Sequence, residues 1–189
     1  MKRAALTLGL ALLAPPAAAQ WLGEPTWNAP TAGSGFTIYG DYSRPNTDAG
    51  GGNAIGGRIM LGAGTFTLTG GVSSWKADLV SQRITTFGGT AAFRLIGGSL
   101  IPVFSAVGLS VPLPTPVVRV EPYVSPGIRY HHYASVAPGA ADHETNFGWV
   151  IGGNLGFGPI GVHLAYDSEK FADGKTHGVF GVGANIGLR

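Results

Sequence analysis

His163, Asp167 and Ser168 are the residue types of an acyl-transfer centre: a base, an acid to orient it, and a hydroxyl nucleophile. Their spacing argues against that chemistry. Side chains alternate faces along a β-strand, so His163 and Ser168, five positions apart, point to opposite sides and the hydroxyl is out of reach of the imidazole. Tyr130-His131-His132-Tyr133 offers two adjacent imidazoles to a metal, but the same alternation separates them, whereas zinc needs converging ligands. An aromatic, polar rim where a barrel meets water accounts for those four residues more simply. Gly50-Gly51-Gly52 lacks the strand-to-helix setting of a phosphate loop and reads as a flexible connection. Phe147, Trp149, Phe157 and Phe180 suit a lipid-facing girdle better than a ligand cage. The residues therefore predict no catalytic, cofactor-binding or metal site, no cofactor and no enzyme.

The remaining charges share a different logic. Arg58, Arg94, Arg119 and Arg129 face Asp41, Glu121, Asp167 and Glu169, four of each sign, all on the small and polar side of alternating segments. An unpaired charge in a desolvated interior costs several kcal/mol, on the order of the buried-pair penalties. A balanced set is what a filled interior requires, and these eight are expected to form a structural network.

The elements that must carry them are strands. From Thr176 to Arg189, Phe180, Val182, Ala184, Ile186 and Leu188 alternate with Gly181, Gly183, Asn185, Gly187 and Arg189. The pattern recurs. Phe36, Ile38 and Tyr42 oppose Thr37, Tyr39, Asp41 and Ser43, and Ile55, Ile59 and Leu61 oppose Gly56, Arg58 and Met60. Phe66, Leu68 and Val72 oppose Thr67, Thr69 and Ser73, and Phe87, Ala91, Phe93 and Leu95 oppose Thr86, Gly88, Thr90 and Arg94. Ile101, Val103, Val107, Leu109 and Val111 follow less cleanly. Val118, Val120, Val124, Ile128 and Tyr130 oppose Arg119, Glu121, Ser125, Arg129 and His131. Phe147, Trp149, Ile151, Leu155 and Phe157 oppose Asn146, Gly148, Gly152, Asn154 and Gly156, and Ile160, Val162, Leu164 and Tyr166 oppose Gly161, His163, Ala165 and Asp167.

Composition narrows the class further. Charged residues are 12% of the chain, against about 25% in soluble domains, and 32 of 189 residues are glycine. Residues 1–19 read as an export signal, with Lys2 and Arg3, an apolar run too short to span a bilayer, and Ala17-Ala18-Ala19 before Gln20. Cleavage there removes two of the twelve basic residues and none of the ten acidic ones, leaving a net-neutral chain. Neutrality without a basic cluster gives no footprint for nucleic acid. With no cysteine, disulfides and thiol chemistry are excluded. Outside the signal no apolar run is long enough for a transmembrane helix, so a membrane crossing would need a closed barrel, in which every backbone group is paired.

The predicted fold is all-β: an antiparallel up-and-down transmembrane β-barrel. Residues 20–34, with Pro25, Pro30 and two tryptophans but no periodicity, form a periplasmic lead-in or a short plug, and residues 35–189 the barrel. Phe157-Gly158-Pro159 and Leu113-Pro114-Thr115-Pro116 are short connections, while residues 44–53, 135–145 and 171–176 are longer outer loops. The alternating segments number nine, an odd count that both-ends-inside topology forbids. Eight crossings follow if 101–111 is not an independent one, and this is preferred; ten follow if 117–133 breaks at Ser125-Pro126-Gly127.

Alternation alone does not say which face is outward, since a soluble lipocalin-like barrel alternates with its apolar side in. The face rich in Gly, Ala, Ser and Thr suits a narrow filled interior better than a solvated exterior. On the signal at 1–20, the strand Gly35-Phe-Thr-Ile-Tyr-Gly-Asp-Tyr42, the segment Val120-Glu-Pro-Tyr-Val-Ser-Pro-Gly-Ile128 and the end Gly178-Val-Phe-Gly-Val-Gly-Ala-Asn-Ile-Gly-Leu188, the chain resembles the small outer-membrane β-barrels of Gram-negative-type bacteria. That group includes the outer-membrane protein A barrel and the opacity-type adhesins. It differs from them in ending Leu188-Arg189, where members usually end in an aromatic residue read by the insertion machinery.

The resemblance implies the bacterial outer membrane, a monomer, and two partners, outer-membrane lipids and the barrel-insertion machinery. It implies a filled-lumen barrel with a structural or surface-interaction role. A porin-like narrow channel or carrier for a small apolar solute and a lipid-modifying enzyme are the alternatives.

Overall fold

The computed structural model describes residues 22–25, 27, 35–63, 66–93, 103–104, 107–110, 117–132 and 143–188. Outside them lie the signal, Arg94, the Leu113-Pro114-Thr115-Pro116 connection, Tyr133 and most of the 135–145 loop, as do the side chains of Arg129, Tyr130, His131 and His132.

Among the described residues the regular structure is entirely β: β1 (Gly35–Pro45), β2 (Asn53–Ala63), β3 (Phe66–Lys76), β4 (Ile84–Phe93), β5 (Val103–Phe104), β6 (Val107–Ser110), β7 (Arg119–His132), β8 (His143–Phe157), β9 (Ile160–Lys170) and β10 (Thr176–Leu188). Eight of these run ten to fifteen residues. They are the eight antiparallel up-and-down strands expected, while β5 and β6, two and four residues long, extend one edge of the sheet.

The sheet order is β4-β3-β2-β1-β10-β9-β8-β7-β6-β5, every pairing antiparallel. The first and last long strands bond to each other, Tyr42 opposite Val182 and Ile38 opposite Ile186, which curls the sheet on itself. Its two remaining edges, β4 and β5, approach each other.

The odd segment count has a structural cause. Val103 stands opposite Gly108 and Phe104 opposite Val107 in an antiparallel pair, so the apparent crossing at 101–111 is a reversal and not an independent one. The alternative break at Ser125-Pro126-Gly127 does not occur: β7 runs through it, paired with β8 from Arg119 to His132. Pro122 and Pro126 are four apart, so both missing N–H groups fall on one side of the strand and the β8 ladder tolerates them. The expected loops 44–53, 135–145 and 171–176 overlap the strands at Arg44, Pro45, Asn53, residues 143–145 and Thr176. Gly158, at φ 57°, makes the two-residue turn into β9, and Gly50, Gly51 and Gly52 all take positive φ in the 46–52 loop.

Burial settles the orientation of the faces. Ile38, Ile55, Ile59, Leu61, Leu68, Ile151, Leu164, Val182 and Ile186 are exposed, with Phe87 at 79%. Asp41, Arg58, Glu121, His163, Asp167 and Glu169 are buried. The apolar side is outward and the charged side inward, the reverse of a soluble barrel.

Candidate functional site

The charged cluster in the lumen is built on β1, β2 and β9, whose alternation aims Asp41, Arg58 and His163 inward. Asp41 of β1 stands opposite Gly56 of β2, and Tyr39 opposite Arg58, so Asp41 and Arg58 are diagonal neighbours within reach of a long side chain. Arg58 Nε donates to Asp41 Oδ2 at 2.6 Å and Nη2 donates to Oδ1 at 3.0 Å, a two-pronged ion pair. His163 reaches the same carboxylate from β9, its Nε2 2.7 Å from Asp41 Oδ1. The same Nε2 lies 3.1 Å from Arg58 Nη2, and Nδ1 lies 3.4 Å from the Asn185 amide nitrogen.

Small residues make that reach possible. Between Asp41 and His163 lies β10, where a Cβ on Gly183 would stand 2.5 Å from His163 Nε2 and 2.6 Å from Asp41 Oδ1. Gly183→Leu is expected to separate the pair and destabilise the barrel by about 1–3 kcal/mol through overpacking, read from the urea midpoint in detergent micelles. An unchanged midpoint would show that the lumen has room there.

Aromatic rings close the cluster. The Arg58 guanidinium carbon lies 4.7 Å from the Trp27 ring centroid and 4.5 Å from that of Tyr39, within cation–π range. His163 meets both rings edge-on, at 4.7 Å and 5.3 Å.

Trp27 and Glu24 come from the non-periodic stretch before β1. Pro25 and Trp27 occupy the space over Gly181, and Glu24 the space over Gly56. Glu24 is 2% exposed, and neither carboxylate oxygen has a hydrogen-bond partner among the described residues. Burial, followed by the Asp41 charge, pushes its carboxyl up to about 7, against the opposing charge of Arg58.

An acid holding an imidazole is half of a hydrolytic centre, but no hydroxyl bonds to His163 among the described residues. Its nitrogens are taken by Asp41, Arg58 and Asn185, and Ser168 is not a partner. The cluster's chemistry is charge neutralisation. Of the eight charges expected inside, Arg58, Asp41, Glu121, Asp167 and Glu169 are buried. Arg119 is a correction: it is the first residue of β7 and exposed, because the end of a strand reaches water.

No family model and no curated protein matches this chain. Among solved structures it is similar to the N-terminal β-barrel domain of Pseudomonas aeruginosa OprF, at 15% identity over 81% of this chain and 96% of that one, with a TM-score of 0.41. It is also similar to Ail, the attachment invasion locus protein of Yersinia pestis, at 12% identity over 82% of this chain and 100% of that one, with a TM-score of 0.37.

Proposed function

We propose that this chain is an integral outer-membrane β-barrel, monomeric and filled, serving a structural or surface-interaction role. The supporting observation is the inverted burial: charged side chains inside, aliphatic and aromatic ones outside. Exposing a large apolar side chain to water costs about 1.5–3 kcal/mol. Summed over this wall, a barrel in water would forgo stabilisation on the scale of the roughly 5–15 kcal/mol by which folded domains are stable. In lipid the cost disappears, and a ladder in which β1 meets β10 satisfies the backbone that hydrocarbon cannot. Outer-membrane lipids are then the partner of the exterior, and the insertion machinery delivers the strands to them. The occupied lumen favours a structural role over transport in the resting state, and His163, held by Asp41 without a nucleophile, gives no support to lipid modification.

Membrane fractionation with gel mobility before and after boiling tests this. The mature protein is expected to sediment with outer membranes and to migrate differently once heated. A periplasmic, heat-insensitive protein would overturn the proposal.

A further inference from the structure

Part of what fills the lumen belongs to no strand. The Leu22 N–H donates to Thr86 Oγ1 at 3.2 Å, the Leu22 carbonyl accepts from Ser73 Oγ at 3.2 Å, and the Gly23 carbonyl accepts from Ser43 Oγ at 2.8 Å. Ser43, Ser73 and Thr86 lie toward the strand ends that lead to the 46–52 and 77–83 loops. The stretch thus rises from the Asp41–Arg58–His163 level, where Trp27 packs, to the end of the lumen beneath those loops. Trp75 leans over it there: a Cβ on Gly23 would collide with that indole, whose Nε1 donates to the Gly51 carbonyl at 3.0 Å.

The attachments are those of a docked ligand. Among the described residues, 22–25 and 27 make no ladder pairing with any strand and are held by isolated side-chain hydrogen bonds, each a small net contribution. Against them stands a buried carboxyl with no hydrogen-bond partner among the described residues. Among the described residues the charges that act on it are Asp41 of β1 and Arg58 of β2, and His163 of β9 meets Asp41 and the Trp27 ring. Described residues of β3, β4 and β10 present Ser73, Trp75, Thr86, Gly181 and Gly183 there. Arg58 is already committed to Asp41.

We propose that the barrel is a conduit for small ions held shut by its own amino-terminal segment, and that the segment leaves the lumen when the Glu24 carboxyl ionises. This rests on the membrane-barrel proposal. Glu24 titrates near neutrality when docked and near 4.5 when free, so docking is favoured by acid and weakens as pH rises from 4.5 to about 7. Ionised Glu24 sits beside ionised Asp41, and release relieves both the repulsion and the desolvation.

Potassium currents in planar bilayers at pH 5.5 and pH 8.5 test it, on four mature proteins first checked for the heat-dependent gel shift. These are the wild type, a deletion of residues 20–28, Glu24→Gln, and the pair Leu22→Cys with Ser73→Cys. The chain has no cysteine, so the introduced pair has no competitor. The wild type is expected to be silent at pH 5.5 and to show step currents at least tenfold more often at pH 8.5. Glu24→Gln should stay silent at both values, and the deletion should conduct at both. The oxidised cysteine pair should be silent at pH 8.5 until reduced. A deletion protein that shifts on heating yet passes no current at either pH would overturn the proposal, as would a pH response that survives Glu24→Gln. Absence of the gel shift in all four, the wild type included, would instead sink the membrane-barrel proposal beneath it.

Discussion

Arg58→Leu is expected to cost the barrel about 3–5 kcal/mol of unfolding free energy, the range for breaking a buried ion pair by removing one partner. Arg58 is 5% exposed and gives Asp41 two hydrogen bonds, so its loss leaves a buried carboxylate held by His163 alone. The same change strips a cation from the faces of Trp27 and Tyr39. The measurement is equilibrium urea unfolding of the mature protein in detergent micelles. The double variant Arg58→Leu with Asp41→Asn removes the orphaned charge and should recover a large part of the loss. That recovery is the coupling between the two residues. A double variant as unstable as the single one would mean that Arg58 acts by packing and that the lumen tolerates a lone carboxylate.

Leu164→Arg is expected to cost about 2–4 kcal/mol when the protein is unfolded from lipid vesicles, the penalty for arginine on a lipid face near the bilayer midplane. Leu164 is 49% exposed and lies between His163 and Ala165, at the level of the buried Asp41 network. Leu79→Arg provides the control. Leu79 is 95% exposed in the 77–83 loop, and the same substitution there should change stability by no more than about 0.5 kcal/mol. Equal effects at the two positions would put water against the outer wall of the barrel and remove the membrane assignment. The pair is informative because both leucines are exposed and only their surroundings differ.

Much of the barrel was legible because strands announce their own faces. Every outward residue of β9 and β10 named from alternation, from Ile160 to Leu188, is exposed. The lumen was legible in part. Asp41, Arg58, Glu121, Asp167 and Glu169 were expected there and are buried, whereas Arg119 is exposed because side-chain parity says nothing about distance from the strand end. His163 was weighed with Ser168, its neighbour in the chain, and its actual partner is Asp41, 122 positions away. The only local sign of that partnership was its place on the small face of β9. Glu24 and Trp27 gave no periodic signal, since a segment that docks through isolated side-chain bonds has no regular backbone to imprint one.

Period-two alternation and a charge-poor, glycine-rich composition determined by themselves that this chain forms half-apolar antiparallel strands, because the pleat of one strand sends neighbours to opposite faces whatever surrounds it. Tertiary structure decided between readings that alternation alone left open, namely which face is outward and which apparent crossing folds back, and it alone decided which side chains meet in the lumen. Each depends on how the sheet curls and closes. Closure sets β9 two strands from β1, with β10 between them, and draws residues 22–25 and 27 inside, contacts between distant parts of the chain that no local pattern encodes.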